Sequence, residues 1–215
     1  GPNFRLGPYG SQPEAHAAFA AMIKQLVDYV GELQAKITEL GIEENTIVFL
    51  ASDNGPHLEG GADPEYFNSN GDLRGYKRDM YDGGIRTPLL VKWPGRIKEG
   101  SKTDHISAFW DLMPTLAEIA GADVPENIDG ISFLPTLTGK GKQKEHDYLF
   151  WEFHEQGGKM AVRTGNWKAV KLNINITPQG ETELYDLSTD IGETKNIASS
   201  NKGIVTRMEE IMKET

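Results

Sequence analysis

Residues 46–51 read Thr-Ile-Val-Phe-Leu-Ala, a continuous apolar run that is rich in β-branched side chains. A strand with one solvent-exposed face alternates apolar and polar residues, and this run has no such alternation. A strand that is buried on both faces is typical of a parallel sheet covered by helices. The run therefore predicts an α/β architecture.

A long amphipathic helix is predicted immediately before this run. Apolar side chains recur at helical spacing from Phe19 to Leu40, which places them on one stripe of a helix. Gly41 stands where a glycine commonly ends a helix. A helix followed by a buried strand is half of a βαβ unit, so the two elements support the same α/β layer.

Further elements are predicted along the rest of the first 140 residues. The apolar segments 88–93 and 105–109 indicate two more strands, and 111–121 indicates a helix. A polar stretch at 139–142, Gly-Lys-Gly-Lys, is typical of a linker. We therefore expect a first domain, the α/β portion, at residues 1–140.

The pattern changes after the linker, where short β-rich runs replace the longer elements. They lie at 148–153, 159–164, 167–172 and 183–187, and a helix is predicted at 204–212. Thr164-Gly165-Asn166 is typical of a hairpin turn between two of these strands. Residues 141–215 are thus predicted to form a small antiparallel β-sheet with a C-terminal helix.

The charge balance restricts the possible partners. Lys and Arg total 22 against 32 Asp and Glu, which gives a net charge of −10. We expect no nucleic-acid binding, because such binding depends on cations that neutralise phosphates. No apolar run approaches the ~20 residues that span a bilayer, so no membrane insertion is expected. The chain has no cysteine, which excludes disulfides and thiolate sites within these residues.

Asp53-Asn54-Gly55 follows the buried strand at its carboxyl end, the edge where open α/β sheets bind ligands. A carboxylate and an amide oxygen are hard ligands that suit Ca²⁺ or Mg²⁺ better than zinc. The alternative is a plain turn, since the same residues are common in turns. Ca²⁺ takes about 6–8 oxygens, and these residues supply about three, so further ligands are expected outside this sequence.

Lys77 lies in a loop rich in glycine and cations, and His57 follows Asn54 closely. A lysine near a metal stabilises the charge that develops during hydrolysis, and a histidine can bind an anion or donate a proton. The alternative for both residues is an ordinary solvated loop. Gly83-Gly84 has no Walker spacing and is expected to serve backbone geometry.

Together, in order, these segments resemble the C-terminal half of a type I sulfatase, from about Ala17 to the end of the chain. The motifs are 45–57 (Asn-Thr-Ile-Val-Phe-Leu-Ala-Ser-Asp-Asn-Gly-Pro-His), 75–77 (Gly-Tyr-Lys), 81–88 (Tyr-Asp-Gly-Gly-Ile-Arg-Thr-Pro), 93–95 (Trp-Pro-Gly), 111–116 (Asp-Leu-Met-Pro-Thr-Leu) and 183–187 (Glu-Leu-Tyr-Asp-Leu). Each motif alone is weak evidence, but their order is specific.

The resemblance implies an alkaline-phosphatase-like fold and a sulfuric ester hydrolase in the full-length protein. By that resemblance, Asp53 and Asn54 are ligands of one active-site calcium. Lys77 contacts the sulfate and the leaving-group oxygen, and His57 lines the sulfate or substrate pocket. The expected substrate is a sulfated small molecule or carbohydrate. The resemblance also implies a periplasmic or extracellular location.

Two departures from the family pattern matter. Asp82 stands where the family commonly has glutamate before the two glycines, so no catalytic role is assigned to it. Arg86 is expected to organise this loop by pairing with a carboxylate. The family's formylglycine nucleophile arises from Cys or Ser in a Cys/Ser-x-Pro-x-Arg motif, which is absent here.

We therefore expect the nucleophile and the remaining metal ligands to lie outside these 215 residues. On that view the chain is a fragment that is inactive alone. The long helix and the strand at 46–51 would lack neighbours and expose apolar surface. The expected partner is the N-terminal half of the same protein, or failing that, other copies of the fragment.

Two alternatives stay open on the sequence. A phosphate or phosphonate monoester hydrolase of the alkaline phosphatase superfamily has similar metal positions, although Asp53-Asn54 favours calcium over a zinc site. The second is a noncatalytic binding module, in which Asp53-Asn54-Gly55 is only a turn and the glycine-rich loop is a linker.

Overall fold

The computed structural model describes residues 13–59, 62–178 and 180–214. They divide into two compact units. The first takes the described residues within 1–36, 51–89 and 150–215, and the second takes 37–50 and 90–149. The elements run, in chain order, as α1 (Ala15–Glu39), β1 (Val48–Ala51), α2 (Pro64–Phe67), α3 (Asp82–Ile85), β2 (Leu89–Lys92), α4 (Leu112–Ala120), α5 (Leu134–Thr138), β3 (Leu149–Phe153), β4 (Lys159–Thr164), β5 (Trp167–Leu172), β6 (Thr182–Asp186) and α6 (Lys202–Glu214).

The predicted long helix is confirmed as α1, and Gly41 beyond it has a φ of +66°. Only Ala15 of α1 is buried. The apolar stripe is largely exposed, with Leu26 at 53% and Leu33 at 66% of their full accessibility. The expected exposed apolar surface is therefore present. Among the described residues, no helix combines the length and the apolar character that crossing a bilayer requires.

In the second unit, β1 and β2 form a two-stranded sheet, as the apolar runs predict. The expectation that β1 is buried on both faces is wrong for the described residues, since Leu50 is 38% exposed. The faces of a strand are covered by helices or sheets that pack on it, and the described residues leave part of β1 uncovered. Helix α4 confirms the helix predicted at 111–121 and ends at Gly121, which has a φ of +67°.

The strand predicted at 105–109 is wrong. Residues 101–108 have no regular structure, because Asp111 captures the end of this segment. The Asp111 carboxylate accepts hydrogen bonds from the amides of Ala108 at 2.7 Å and Ile131 at 2.8 Å. His146 Nε2 lies 2.9 Å from the same carboxylate. Side-chain bonds to a buried aspartate thus replace the ladder that a strand would need.

In the first unit, strands β3 to β6 form a four-stranded sheet in sequential order. β4 pairs antiparallel with β5, and β5 with β6, so the predicted hairpin at 164–166 and the predicted antiparallel sheet are confirmed. Both faces of the sheet are covered. One face packs Ala161, Val170 and Tyr185 against Met80 and Tyr81, while the other packs on Met208 and Met212 of α6. The predicted domain boundary at 140/141 stays a prediction.

Candidate active site

The segment after β1 is held in place by its backbone. The amide of Gly55 donates to the carbonyl of Gly84 at 2.8 Å. A Cβ at Gly55 would lie 1.8 Å from the Gly83 carbonyl oxygen, so only glycine fits there. The Gly55 amide is thus used to join this segment to Gly84. The metal-ligand and the plain-turn interpretations of Asp53-Asn54 both stay predictions.

Asp53 and Asn54 precede this anchor and present oxygen donors. Asp53 is exposed, and Asn54 is half-buried. The Asn54 amide nitrogen donates to the Gly55 carbonyl at 2.8 Å, which leaves its amide oxygen as a potential ligand. A carboxylate and an amide oxygen fit part of a Ca²⁺ shell. Among the described residues, no group of three His, Cys, Asp or Glu side chains is arranged to hold a metal ion.

Lys77 lies in a tight turn from Tyr76 to Asp79. The Asp79 amide donates to the Tyr76 carbonyl at 2.8 Å, and the Tyr76 amide donates to the Asp79 carboxylate at 3.0 Å. Arg78 has a φ of +79°, the left-handed value that the third position of a type II turn requires. The Lys77 amide itself donates to the Pro56 carbonyl at 2.7 Å. This bond joins the lysine turn to the segment that carries Asp53 and Asn54.

Two side chains hold Arg78 in its left-handed conformation, and sequence reasoning missed both of them. Lys159 Nζ donates to the Arg78 carbonyl at 2.8 Å and to the Asp79 carboxylate at 3.1 Å. The Arg78 guanidinium donates to Glu59 Oε1 at 3.0 Å. A non-glycine residue at positive φ is costly, so it persists where neighbours determine it. The sequence signal was a cation at the start of a strand, which is too common to interpret alone.

His57 is half-buried, and one of its ring nitrogens has a hydrogen-bond partner within the chain. Its Nδ1 accepts a hydrogen bond from the Glu59 amide at 3.0 Å. Nδ1 is therefore unprotonated in the neutral ring, and Nε2 carries the proton. An Nε2–H group can donate to an anion, which is the chemistry expected for His57 on the sequence.

Gly83 and Gly84 are wedged between the two site segments. A Cβ on Gly83 would lie 2.3 Å from the Gly75 carbonyl oxygen, and one on Gly84 would lie 2.3 Å from that of Asp79. The Gly83 amide also donates to the Arg74 carbonyl at 2.7 Å. The expected role in backbone geometry thus describes both glycines. Any side chain here would push the lysine turn away.

Comparison with known proteins places the chain in a family. A family model for sulfatases matches residues 5–122, and one for the C-terminal part of N-sulphoglucosamine sulphohydrolase matches residues 74–215. Together these matches include every residue of the candidate site. The chain belongs to the sulfatase family.

Two named sulfatases and one solved structure show the extent of the likeness. Steryl-sulfatase of Rattus norvegicus is 36% identical over 178 residues, covering 79% of this chain and 31% of that protein. Arylsulfatase A of Homo sapiens is 33% identical over 220 aligned residues, covering 91% of this chain and 42% of that protein. The crystal structure of Ps i-CgsB in complex with k-i-k-neocarrahexaose superposes with a TM-score of 0.78 at 29% identity. That superposition covers 97% of this chain and 47% of the other.

The α/β fold with an appended antiparallel sheet and C-terminal helix is thus that of the sulfatases. The chain spans less than half the length of these relatives, with 31% and 42% of the two named enzymes covered. The sulfatase portion seen here contains Asp53, Asn54, His57 and Lys77 on two joined backbone segments.

Proposed function

We propose that these residues form the C-terminal part of the active site of a sulfatase, a hydrolase of sulfate esters. The observation that carries this proposal is the hydrogen bond from the Lys77 amide to the Pro56 carbonyl at 2.7 Å. It joins the cation-bearing turn to the segment with the oxygen donors. The resemblance to sulfatases implies that residues at these motif positions serve one reaction, and the backbone bond between the two segments supports that use.

Asp53 and Asn54 would hold one Ca²⁺ through a carboxylate and an amide oxygen, with the other ligands supplied from outside this chain. When bound, Ca²⁺ withdraws electron density from the sulfate and neutralises its charge, and a formylglycine outside this chain supplies the nucleophile. The exposure of Asp53 supports this role, because a carboxylate without internal partners among the described residues is available to a cation.

Lys77 supplies a preorganised positive charge to the sulfate and to the leaving-group oxygen. The Pro56 bond and the Tyr76–Asp79 turn fix its backbone before substrate arrives. A backbone that is already fixed reduces the reordering needed as charge develops, which favours the transition state. His57, with its proton on Nε2, donates a hydrogen bond to a sulfate oxygen or to the departing alcohol.

The substrate class follows from chemistry shared with the relatives. Their names include steryl and aryl sulfatases, and one solved structure holds an oligosaccharide. We propose a sulfated small molecule or carbohydrate as substrate and a periplasmic or extracellular place of action. The net charge of −10 argues against nucleic acid as a partner.

The experiment compares an aryl sulfate and an aryl phosphate as substrates, with and without Ca²⁺. It uses the full-length protein that contains these residues, expressed with the machinery that makes formylglycine. We expect calcium-dependent release of sulfate that Asp53→Ala abolishes. Asp123→Ala, which changes an exposed aspartate in another loop, serves as the matched control and retains activity.

Two results would contradict the proposal in different ways. A preference for the aryl phosphate would move the protein to the phosphate or phosphonate monoester hydrolases. Sulfate release that is independent of Ca²⁺ and unaffected by Asp53→Ala would show that this segment does not bind a Ca²⁺ ion that the reaction needs. Absence of hydrolysis of either ester, together with absence of Ca²⁺ binding, would favour a noncatalytic module.

A further inference from the structure

A buried cluster of charges lies beneath the candidate site, and the proposed mechanism does not use it. Lys168 on β5 and Glu193 in a loop are fully buried at 0% exposure, and Asp82 at the start of α3 is 2% exposed. Burying a charge is costly unless it is paired, so each of these groups depends on the others. They are far apart in sequence, and only the fold brings them together.

Asp82 is the centre of the cluster. Its amide donates to Glu193 Oε2 at 2.6 Å, and its Oδ1 accepts from Lys168 Nζ at 2.6 Å. Lys168 Nζ also lies 2.9 Å from Glu193 Oε1, an ion pair without hydrogen-bond geometry. The backbone and the side chain of Asp82 are therefore both fixed by residues of the C-terminal sheet region.

Two arginines complete the surroundings of Asp82. Its Oδ2 lies 3.6 Å from the Arg86 guanidinium and 3.8 Å from that of Arg163, and it has no hydrogen-bond partner among the described residues. The expected pairing of Arg86 with a carboxylate is confirmed by the first of these contacts. Burial raises the pKa of Glu193, with the nearby Lys168 charge opposing that shift.

Such a cluster contributes little to the stability of the folded state by itself. Replacing a buried ion pair by packed apolar residues is often neutral or stabilising, because desolvation offsets the attraction. The position of Asp82 indicates a different use. It begins the short turn that contains Gly83 and Gly84, and those glycines touch both segments of the candidate site.

The contacts run from the cluster to the site in short steps. Asp82 leads directly to Gly83, whose amide donates to the Arg74 carbonyl at 2.7 Å at the base of the lysine turn. Gly84 follows, and its carbonyl accepts from the Gly55 amide at 2.8 Å, next to Asn54. A shift of Asp82 would therefore move the metal segment and the lysine turn relative to each other.

We propose that Lys168 is a positioning residue for the sulfatase site, acting through Asp82 and the two glycines on Asp53-Asn54 and Lys77. This inference rests on the proposed function. Outer partners of metal ligands typically contribute about 10–100-fold in affinity or activity, and a displacement of about 1 Å far from the chemistry can cost ~100-fold. The effect of losing Lys168 should lie in that range.

The test is Lys168→Met in the full-length protein, with Lys171→Met as its matched control. Lys171 lies on the same strand, is half-buried and is not part of the cluster. Ca²⁺ affinity is measured by calorimetry with the metal alone, kcat and KM with an aryl sulfate, and folding by circular dichroism. All measurements are made at a temperature where the variants remain folded.

For Lys168→Met we expect Ca²⁺ affinity about 10–100-fold weaker and a lower kcat, while Lys171→Met matches the wild type. A purely structural role predicts another pattern, namely a lower melting temperature with unchanged Ca²⁺ affinity and kcat in the folded protein. That pattern would overturn the inference.

A second variant covers the case in which Lys168→Met does not fold. Asp82→Asn keeps the shape and an oxygen acceptor for Lys168, but removes the charge that the lysine holds. We expect it to weaken Ca²⁺ binding and lower kcat in the same direction, and unchanged values would again overturn the inference. The wild type serves as a separate arm: if it neither binds Ca²⁺ nor hydrolyses the sulfate, the proposed function fails, and the inference fails with it.

Discussion

The amide nitrogen of Lys77 donates a hydrogen bond to the carbonyl oxygen of Pro56 at 2.7 Å. Pro56 lies between Asn54 and His57, so this single bond brings the lysine turn alongside the segment that carries the other candidate residues. Because it joins backbone to backbone, it persists when the Lys77 side chain is changed. Substitutions at Lys77 therefore test the charge without removing the turn.

Lys77→Ala is expected to lower the kcat of the full-length enzyme on an aryl sulfate by at least ~100-fold, as loss of one preorganised electrostatic group does. The melting temperature should change little, because the half-buried side chain does not form the turn. Steady-state kinetics and calorimetric melting measure the two effects. Lys102→Ala, at an exposed position, is the control. An unchanged kcat would remove Lys77 from the mechanism.

Gly55→Ala is expected to destabilise the site and reduce Ca²⁺ affinity. Its Cβ would lie 1.8 Å from the Gly83 carbonyl oxygen, which is backbone and cannot move alone. Overpacking of this kind typically costs about 1–3 kcal/mol in the free energy of unfolding. Urea unfolding and calcium calorimetry measure the two effects. Gly203→Ala places its new Cβ more than 4 Å from any atom outside its own helix, so it should bind Ca²⁺ as the wild type does and be no less stable. Native behaviour of both variants would contradict the packing described here.

Alkaline pH is expected to destabilise the first unit through Tyr185. Burial, together with a hydrogen bond to Glu183, raises the pKa of Tyr185 to about 12. The unfolded tyrosine ionises near pH ~10, so the contribution is complete below that pH and is lost as pH rises through the folded value. The pKa of Tyr81 is raised in the same direction, and its hydroxyl donates to the same Glu183 carboxylate at 2.6 Å.

Tyr185→Phe tests this dependence. We expect it to lower the free energy of unfolding at neutral pH by about 1.5–3 kcal/mol, because it loses a hydrogen bond to a charged group. It should also flatten the decline of stability above pH ~10. Urea unfolding at a series of pH values gives both quantities, with Tyr148→Phe, at an exposed position, as the control. Parallel curves for wild type and Tyr185→Phe would refute the assignment.

The 215-residue chain expressed by itself is expected to self-associate through α1 and to hydrolyse no sulfate ester. Leu26 and Leu33 are 53% and 66% exposed on one face of this helix, and large exposed apolar patches drive association. The double variant Leu26→Glu with Leu33→Glu should shift sedimentation toward the monomer. Ala21→Glu with Ala35→Glu, on the opposite face, adds the same charge and should not. A monodisperse, cooperatively unfolding wild-type monomer with tight Ca²⁺ binding would contradict this expectation.

Local patterns predicted much of the fold. The strands at 159–164 and 167–172 were predicted at their observed bounds, because Gly165 between them takes a φ of +55° that few residues adopt. The strand prediction at 105–109 failed because the Asp111 carboxylate binds the Ala108 amide, three residues before it, and the Ile131 amide, 20 residues after it. The first contact is local, and the second is one that no local pattern predicts.

The candidate site was also predictable in part from the sequence. Asp53, Asn54, His57 and Lys77 could be named from short motifs, and their roles stay predictions. Lys168 and Glu193 could not be found in this way. A lysine on the same face of β5 as the buried Val170 was a signal for a buried partner. The partner itself was invisible, because 86 residues separate Lys168 from Asp82.

That separation also sets an order of assembly during synthesis. Asp82 is synthesised 111 residues before Glu193, whose carboxylate accepts a hydrogen bond from the Asp82 amide. At about 5–20 residues per second, Asp82 gains both of its charged partners only on the order of 5–20 s after its own synthesis. Contacts so distant along the chain form late in folding. The segment proposed to bind calcium is thus expected to be among the last parts of the chain to reach its final shape, after the C-terminal sheet that supports it.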